Sequence, residues 1–263
     1  MGNPELSPDG KRAGITIGNL GGTDIWIQDD VRASRFTFDA VEERYTVWSS
    51  DAKRVVFASN RNGKFDLYIK ASDGTGIEEL LLRSEDNKHP NAWSPNGEVI
   101  LYVSDQNRGD LMVLPLAGGR KPFAFLSTPF RERQGRFSPD GRMVAYVSDT
   151  SGRDEVYVRQ FPGPGGQWQV SIDGGTAPRW RSDGEELYFL TPDETLMAIE
   201  TGSQRTTFTA GAPKPLFQPR IVAATTRPAY DVAPDGRFLI NSDVIEASTE
   251  PIHLLLNWKP LGR

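Results

Sequence analysis

Short apolar runs separated by turn-forming residues follow one another along the chain. Runs such as residues 54–58, 99–103 and 143–147 carry apolar side chains at consecutive positions, and they are rich in β-branched and aromatic residues. Such runs are typical of short strands that are buried on both faces. The pattern therefore predicts an all-β protein whose central strands lie between neighbouring sheets.

A four-residue turn phrase precedes each of these runs. Its fullest form is Ser-Pro-Asp-Gly, and six copies occur, at residues 7–10, 49–52, 94–97, 138–141, 181–184 and 233–236. The third residues of successive copies are 42, 45, 44, 43 and 52 positions apart. Proline presets a turn angle, Asp or Asn bonds back to the backbone, and Gly accepts positive φ, so each phrase predicts a hairpin. This period is close to that of a four-stranded propeller blade.

The repeat predicts a single domain over residues 1–263, a six-bladed β-propeller of four-stranded antiparallel blades. The last repeat ends after its third strand, so we expect the sixth blade to be incomplete. Its last strand, Ile252 to Trp258, would then offer an open edge through which a homodimer could form. Only six residues precede Ser7, and Pro4 cannot donate to a strand ladder, so closure of the ring is an open question.

Composition and charge exclude several classes of function. The absence of Cys excludes disulfides, a thiol nucleophile and thiolate-bound zinc, and two His argue against a multi-histidine metal centre. With 30 Lys and Arg against 35 Asp and Glu, the net charge is -5, and no basic block indicates nucleic acid as a partner. We find no apolar run of membrane-spanning length and no signal peptide, so we expect a soluble chain without membrane insertion, whose native compartment is unknown.

The repeated pattern of turn phrase, apolar strand, Arg-x-Gly turn and aromatic strand resembles the TolB-like, WD-repeat-like propellers of bacteria. Three stretches are similar more narrowly to the C-terminal propeller region of acidobacterial membrane-anchored serine/threonine kinases: residues 149–158, 161–171 and 254–258. This resemblance implies a sensor or partner-binding module outside the cytoplasm. It does not imply kinase activity, because the sequence has no kinase motifs.

A propeller brings two kinds of loop together at one mouth of its tunnel: those joining successive blades and those joining second to third strands. We expect this mouth to hold side chains of both charges. The candidates are Glu43, Arg44, Arg61, His89, Asp105, Arg133, Asp149, Arg227 and Asp243. The plain interpretation is a solvated rim, and the functional one is a binding site for a protein, a peptide or a small ligand.

A metal-dependent alternative follows from three of these residues. If Glu43, Asp105 and Asp149 converge, their oxygens could hold a divalent cation such as calcium. A metal in the tunnel could activate water, as in hydrolases of the lactonase or phosphotriesterase kind. The sequence has no serine nucleophile elbow. We therefore favour a non-catalytic recognition or sensor module, with the metal-dependent hydrolase as the alternative and a pure scaffold as a third reading.

Overall fold

The computed structural model describes residues 2–19, 21–204, 207–221 and 229–242, and it is built from β-strands. One short 3-10 turn, Gln106–Arg108, interrupts them. Within these ranges no helix has the length and apolar character needed to cross a membrane.

The first three sheets each have four strands. The first contains β1 (Gly2–Leu6), β2 (Ala13–Asn19), β3 (Gly22–Gln28) and β4 (Ala33–Arg35). The second contains β5 (Glu43–Trp48), β6 (Arg54–Ser59), β7 (Asp66–Ala71) and β8 (Glu79–Leu82). The third contains β9 (Lys88–Trp93), β10 (Val99–Ser104), β11 (Asp110–Pro115) and β12 (Phe123–Leu126).

The remaining sheets follow the same order along the chain. The fourth contains β13 (Glu132–Phe137), β14 (Met143–Ser148), β15 (Glu155–Gln160) and β16 (Gln167–Gln169). The fifth contains β17 (Thr176–Trp180), β18 (Glu186–Leu190), β19 (Leu196–Gln204), β20 (Thr207–Ala210) and β21 (Lys214–Phe217). In the described residues the sixth contains β22 (Tyr230–Val232) and β23 (Phe238–Ile240).

The first four sheets are antiparallel meanders, the other two are also antiparallel, and the first strand of each sheet lies innermost. The inner strands β1, β5, β9, β13, β17 and β22 each contact the next one, and β22 also contacts β1. Hydrogen bonding supports this last contact, because the backbone N–H of Leu6 donates to Asp231 Oδ2 at 2.7 Å. The inner strands therefore form a closed ring, which answers the question raised by the short stretch before Ser7.

Apolar side chains fill the wedges between neighbouring sheets. One buried cluster joins the third and fourth sheets through Leu101, Leu111, Val144 and Tyr146. Similar clusters lie between the other pairs of consecutive sheets, from the first pair to the last. Because the central strands β6, β10, β14 and β18 are covered on both faces, almost all of their consecutive apolar positions are buried, as the sequence pattern predicts.

The turn phrases have the predicted hairpin chemistry. In the second copy, Ser49 Oγ donates to Asp51 Oδ1 at 2.6 Å and accepts the N–H of Arg54 at 2.9 Å. The fourth position has positive φ, 73° at Gly141, and Ala52 adopts φ 56° there at the one copy that lacks glycine.

The all-β propeller prediction is confirmed. The count of six four-stranded blades and the single domain over residues 1–263 stay predictions, since the sixth sheet is described for two strands only. The sequence pattern did not predict β1 or β20. β20 pairs with the second half of β19, and β21 pairs with the first half. The edge predicted at Ile252 to Trp258 lies outside the described residues.

Candidate functional site

The ring of inner strands has two faces. We call the face where these strands begin the loop face, because the loops from each preceding sheet arrive there. We call the opposite face, which carries the six turn phrases, the turn face. The sequence analysis placed the candidate residues at the loop face.

Bulges re-aim the inner strands where they leave the loop face. The pairing of β5, β13 and β17 with their neighbours shifts register after Arg44, Arg133 and Thr176. The residue that follows each shift has positive φ: 64° at Tyr45, 56° at Gln134 and 59° at Ala177. Such bulges turn side chains away from the regular ladder and are common beside functional sites.

The bulges also connect one sheet to the next. Asn91 Oδ1 accepts the buried N–H of Gly135 at 2.8 Å, and Gln134 Oε1 accepts the N–H of Ala177 at 2.7 Å. Each bond runs from an inner strand to the neighbouring inner strand. The loop-face end of the tunnel wall is therefore fixed by side chains as well as by packing.

A cavity of about 320 Å³ opens at the loop face between the second, third and fourth sheets. We call it the loop-face cavity. It is lined by Tyr45, His89, Asn91, Val103, Asp105, Arg108, Gly109, Arg131, Glu132, Arg133 and Gln134. Three of the predicted site residues, His89, Asp105 and Arg133, are thus brought together.

His89 is held between two aromatic rings and a carboxylate. Its ring centroid lies 5.3 Å from that of Tyr45, edge-on, and 5.8 Å from that of Phe65. Its Nε2 is 3.2 Å from Asp105 Oδ1, and Asn87 Nδ2 donates to the same carboxylate at 3.1 Å. This arrangement presents an imidazole edge and an aromatic wall to a ligand.

The arginines of the cavity are supported by acids on the neighbouring loop. Arg133 pairs with Asp154, and Arg108 Nη2 lies 3.9 Å from Asp149. Asp149 also accepts the backbone N–H of Arg131 at 2.8 Å. The predicted residue Asp149 therefore lies behind the cavity wall, where it positions the arginine-bearing loops.

A large apolar side chain stands beside these charges. Phe130 precedes Arg131 in the loop between β12 and β13, and it is 40% exposed. Its backbone N–H donates to Thr128 Oγ1 at 3.1 Å, which fixes the loop tip. Phe38 and Ile172, on other loops of the same kind, are also exposed.

Glu132 forms part of the cavity floor. Its carboxyl is buried and accepts a hydrogen bond from the Thr128 hydroxyl. Burial raises the pKa of Glu132 above its ordinary value, and the negative charges of Asp110 and Asp149 raise it further.

Two other predicted residues, Glu43 and Arg61, form a separate ion cluster that is partly buried. Arg61 Nη2 lies 2.5 Å from Glu43 Oε1 and also contacts Glu78, while its Nη1 lies 3.2 Å from Asp39. The guanidinium stacks 4.2 Å from the ring centroid of Tyr68. Burial is the largest cause of the raised pKa of Glu43. This cluster joins the first two sheets.

Arg44 lies between that cluster and the loop-face cavity. It pairs with Glu42 at 2.6 Å, and its guanidinium lies 5.3 Å from the ring centroid of Phe65, which in turn packs on His89. Arg227 and Asp243 lie outside the described residues.

The geometry lends no support to a metal held by Glu43, Asp105 and Asp149. Within the described ranges, one group of three acids is compact enough to hold an ion, and it consists of Asp39, Glu43 and Glu78. The cation at that group is the Arg61 guanidinium itself. Asp105 and Asp149 belong to the surroundings of the loop-face cavity.

The turn face carries a charged cluster that the sequence analysis missed. It lies in a cavity of about 280 Å³ lined by residues of all six inner strands. Glu5 pairs with Arg136 through both oxygens, at 2.5 and 2.7 Å, and with Arg179 at 3.3 Å. Arg179 Nε also pairs with Asp231 at 2.8 Å. These four residues, which we call the tunnel tetrad, link β1, β13, β17 and β22 across the tunnel.

A sequence signal for this tetrad exists. Each of its members stands two positions before a turn phrase, and the same position holds Val47 and Ala92 in the other two repeats. Because inner-strand side chains at one level of the repeat meet at the axis, charges of both signs at that level predict a cross-tunnel network.

The comparisons with known proteins agree with the repeat. The model of the TolB beta propeller domain family matches residues 1–157. The chain belongs to this family. A stretch of 77 residues is 30% identical to the Tol-Pal system protein TolB of Polaromonas sp., which is 29% of this chain and 17% of that protein.

Solved structures extend the likeness along the chain. TolB from Acinetobacter baumannii superposes with a TM-score of 0.70 at 16% identity, over 90% of this chain and 59% of that one. A TolB candidate from Agrobacterium tumefaciens gives a TM-score of 0.67 at 16% identity, over 89% of this chain and 86% of that one. At this identity the superpositions show the fold alone.

Proposed function

We propose that this chain is a non-catalytic recognition module that binds a protein partner, through a peptide segment, at the loop-face cavity. The observation that carries the proposal is the combination found there: an aromatic-walled cavity with arginines on its rim and an exposed Phe130 beside them. Aromatic residues and Arg are the types most enriched where proteins bind one another.

The size of the cavity favours a peptide. A volume of about 320 Å³ accommodates one or two side chains of a partner, which is near the lower end of small-ligand sites. A segment anchored there would also contact Phe130 and Arg131 on the rim. The rigid wall would keep the cost of ordering low on the side of this chain.

The chemistry of the lining favours binding over catalysis. His89 and Asp105 form a base-and-acid pair, but no Ser, Thr or Cys lies among the described residues that line the cavity. Catalysis by a hydroxyl or thiol nucleophile needs such a group within hydrogen-bond reach of the base. The family also includes a protein named for the Tol-Pal system, and we carry over from it only the general idea of a protein partner.

The proposal is tested with peptides selected from a random displayed library on the wild-type chain, with affinities measured by fluorescence polarisation. We expect Phe130→Ala and Arg131→Ala each to weaken binding about tenfold or more, about 1.4 kcal/mol. Phe123→Ala is the matched control, because Phe123 is 43% exposed but lies on the outer strand β12. Equal affinities of all three variants and the wild type would contradict the proposal.

A further inference from the structure

Buried carboxylates recur at the seams between sheets. The third strand of each of the first four sheets carries a buried acid near its loop-face end. These acids are Asp24, Asp66, Asp110 and Glu155. Within the third sheet, Ser104 pairs with both Asp110 and Lys88, and within the fourth sheet, Ser148 pairs with both Glu155 and Glu132. The first residue of each of these inner strands therefore lies at the same level as the buried acid of the third strand. Each seam must therefore compensate buried charge.

Two seams compensate their acid directly. Between the second and third sheets, Lys88 Nζ lies 3.0 Å from Asp66 Oδ1, and both side chains are buried. Near the fourth and fifth sheets, Glu155 accepts hydrogen bonds from the N–H of Gly174 at 3.0 Å and from Arg153 Nε at 2.8 Å.

The seam between the first and second sheets uses two arginines. Arg35 Nη2 lies 2.8 Å from Asp24, and Arg61 Nη2 lies 2.5 Å from Glu43. Every buried acid of these three seams thus has a cation within ion-pair distance.

The seam between the third and fourth sheets differs. Glu132 stands where the preceding seam has Lys88, so Asp110 and Glu132 bring two acids to one seam, at 3% and 2% exposure. Asp110 Oδ1 and Glu132 Oε2 are buried without a hydrogen-bond partner in the described residues, and no Lys or Arg of those residues pairs with either carboxylate. Their other oxygens accept from Asn107 and Thr128.

We propose that Glu132 holds a proton in this buried seam beside Asp110, and that release of this proton loosens the loop that carries Phe130 and Arg131. Two ionised carboxylates in one buried seam would repel each other and lose hydration, so Glu132 retains its proton above the ordinary range of a carboxylic acid. The biological consequence, control of binding by pH, rests on the proposed function. The protonation of Glu132 is independent of the proposed function.

The surroundings favour the protonated form. Burial is the largest cause of the raised pKa of Glu132, the hydrogen bond from Thr128 acts against it, and the charges of Asp110 and Asp149 add to it. Across the cavity stand His89, Asp105 and Arg108. Arg131 and Arg133 flank Glu132 along the chain, and Arg133 is paired with Asp154.

Glu132 is connected to the recognition loop by two steps. Its carboxyl accepts a hydrogen bond from the Thr128 hydroxyl, and Thr128 Oγ1 in turn accepts a hydrogen bond from the N–H of Phe130 at 3.1 Å. Its backbone N–H donates at 3.0 Å to Gly109 O, next to Asp110. Repulsion between the two carboxylates therefore acts directly across the contact that holds the loop to the third sheet.

The first test compares the pH dependence of unfolding in the wild type and Glu132→Gln. A raised pKa in the folded state stabilises the protein below the unfolded value, 4.5, and this stability is lost as pH rises through the folded value. We expect Glu132→Gln to abolish that loss, with a tenfold change in the folding equilibrium for each pH unit by which the pKa is raised.

Glu155→Gln is the matched control, because Glu155 is also fully buried but has donors for its charge. We expect this variant to be less stable than the wild type at neutral pH, whereas Glu132→Gln should be more stable. Identical pH profiles for the wild type and Glu132→Gln, or destabilisation by both substitutions at neutral pH, would overturn the proposal that Glu132 holds a proton.

The second test measures hydrogen-exchange protection factors of the Phe130 and Arg131 amides between pH 5 and 8 in the free protein. We expect protection to fall at least several-fold as pH rises in the wild type and to stay constant in Glu132→Gln. Constant protection in both would overturn the coupling to the loop. Neither test uses a ligand, so a failure of the peptide-binding proposal is recognised separately.

Discussion

The tunnel tetrad provides a sharp test of how the ring is held together. Arg179 pairs with Glu5 at 3.3 Å and Asp231 at 2.8 Å, and its side chain is 6% exposed. Arg181, two residues later, pairs at 2.6 to 2.9 Å with Asp183, Glu185 and Glu186, but its side chain is 27% exposed. The number of ion pairs predicts the larger loss of stability for substitution of Arg181, whereas burial predicts the larger loss for Arg179.

Arg179→Met removes the cation and leaves two buried carboxylates with less compensation. Burial and Asp231 already raise the pKa of Glu5, against the effect of Arg136 and Arg179. Breaking a buried pair on one side costs about 3–5 kcal/mol, because the remaining charge is uncompensated. Arg181→Met removes exposed pairs worth about 0–1 kcal/mol each at most.

Urea unfolding followed by tryptophan fluorescence and circular dichroism measures both variants. With a total stability of about 5–15 kcal/mol for a typical domain, the expected loss in Arg179→Met is a large shift of the midpoint. If Arg179→Met lowers the free energy of unfolding no more than Arg181→Met does, the reasoning that the tunnel tetrad closes the ring is refuted.

Two further substitutions test local features of the fold. Asn91→Ala leaves the buried N–H of Gly135 without the acceptor that lies 2.8 Å away. We therefore expect the free energy of unfolding in urea to fall by about 1–3 kcal/mol. A fall below about 0.5 kcal/mol would contradict a stabilising role for the bulge contact. Gly22→Ala should lower the melting temperature more than Gly152→Ala: both have positive φ, but a Cβ at Gly22 would lie 2.2 Å from Val41 O and one at Gly152 meets nothing within 4 Å. Equal melting temperatures would contradict this reading.

The repeat made most of the fold predictable. The turn phrase carries its own hydrogen-bond chemistry, and the apolar runs after it, such as residues 143–147, became central strands such as β14. β1 was harder to predict because Pro4 breaks the ladder pattern, and the structure accommodates it with an irregular register between Gly2 and Glu5. β20 was missed because it pairs only with the far half of β19, which gives no repeat signal.

The candidate site was predictable only in part. Loop position along the repeat predicts His89, Asp105 and Arg133 at one face, and the three residues line one cavity there. Loop position did not predict that Glu43 and Arg61 lie in a separate ion cluster outside this cavity. The bulge at the start of an inner strand decides whether a charged side chain faces the cavity or a neighbouring sheet. The exposed Phe130 carries no sequence pattern, because the exposure of a side chain is a property of the assembled ring.

The most direct test of the account is a hydrogen-exchange map of the chain with and without a selected peptide. We predict increased protection at residues 105–109 and 128–134, where the loop-face cavity is formed, and no change at the turn phrases 181–184 and 233–236. Protection confined to the turn face, or to the outer strands, would contradict recognition at the loop-face cavity.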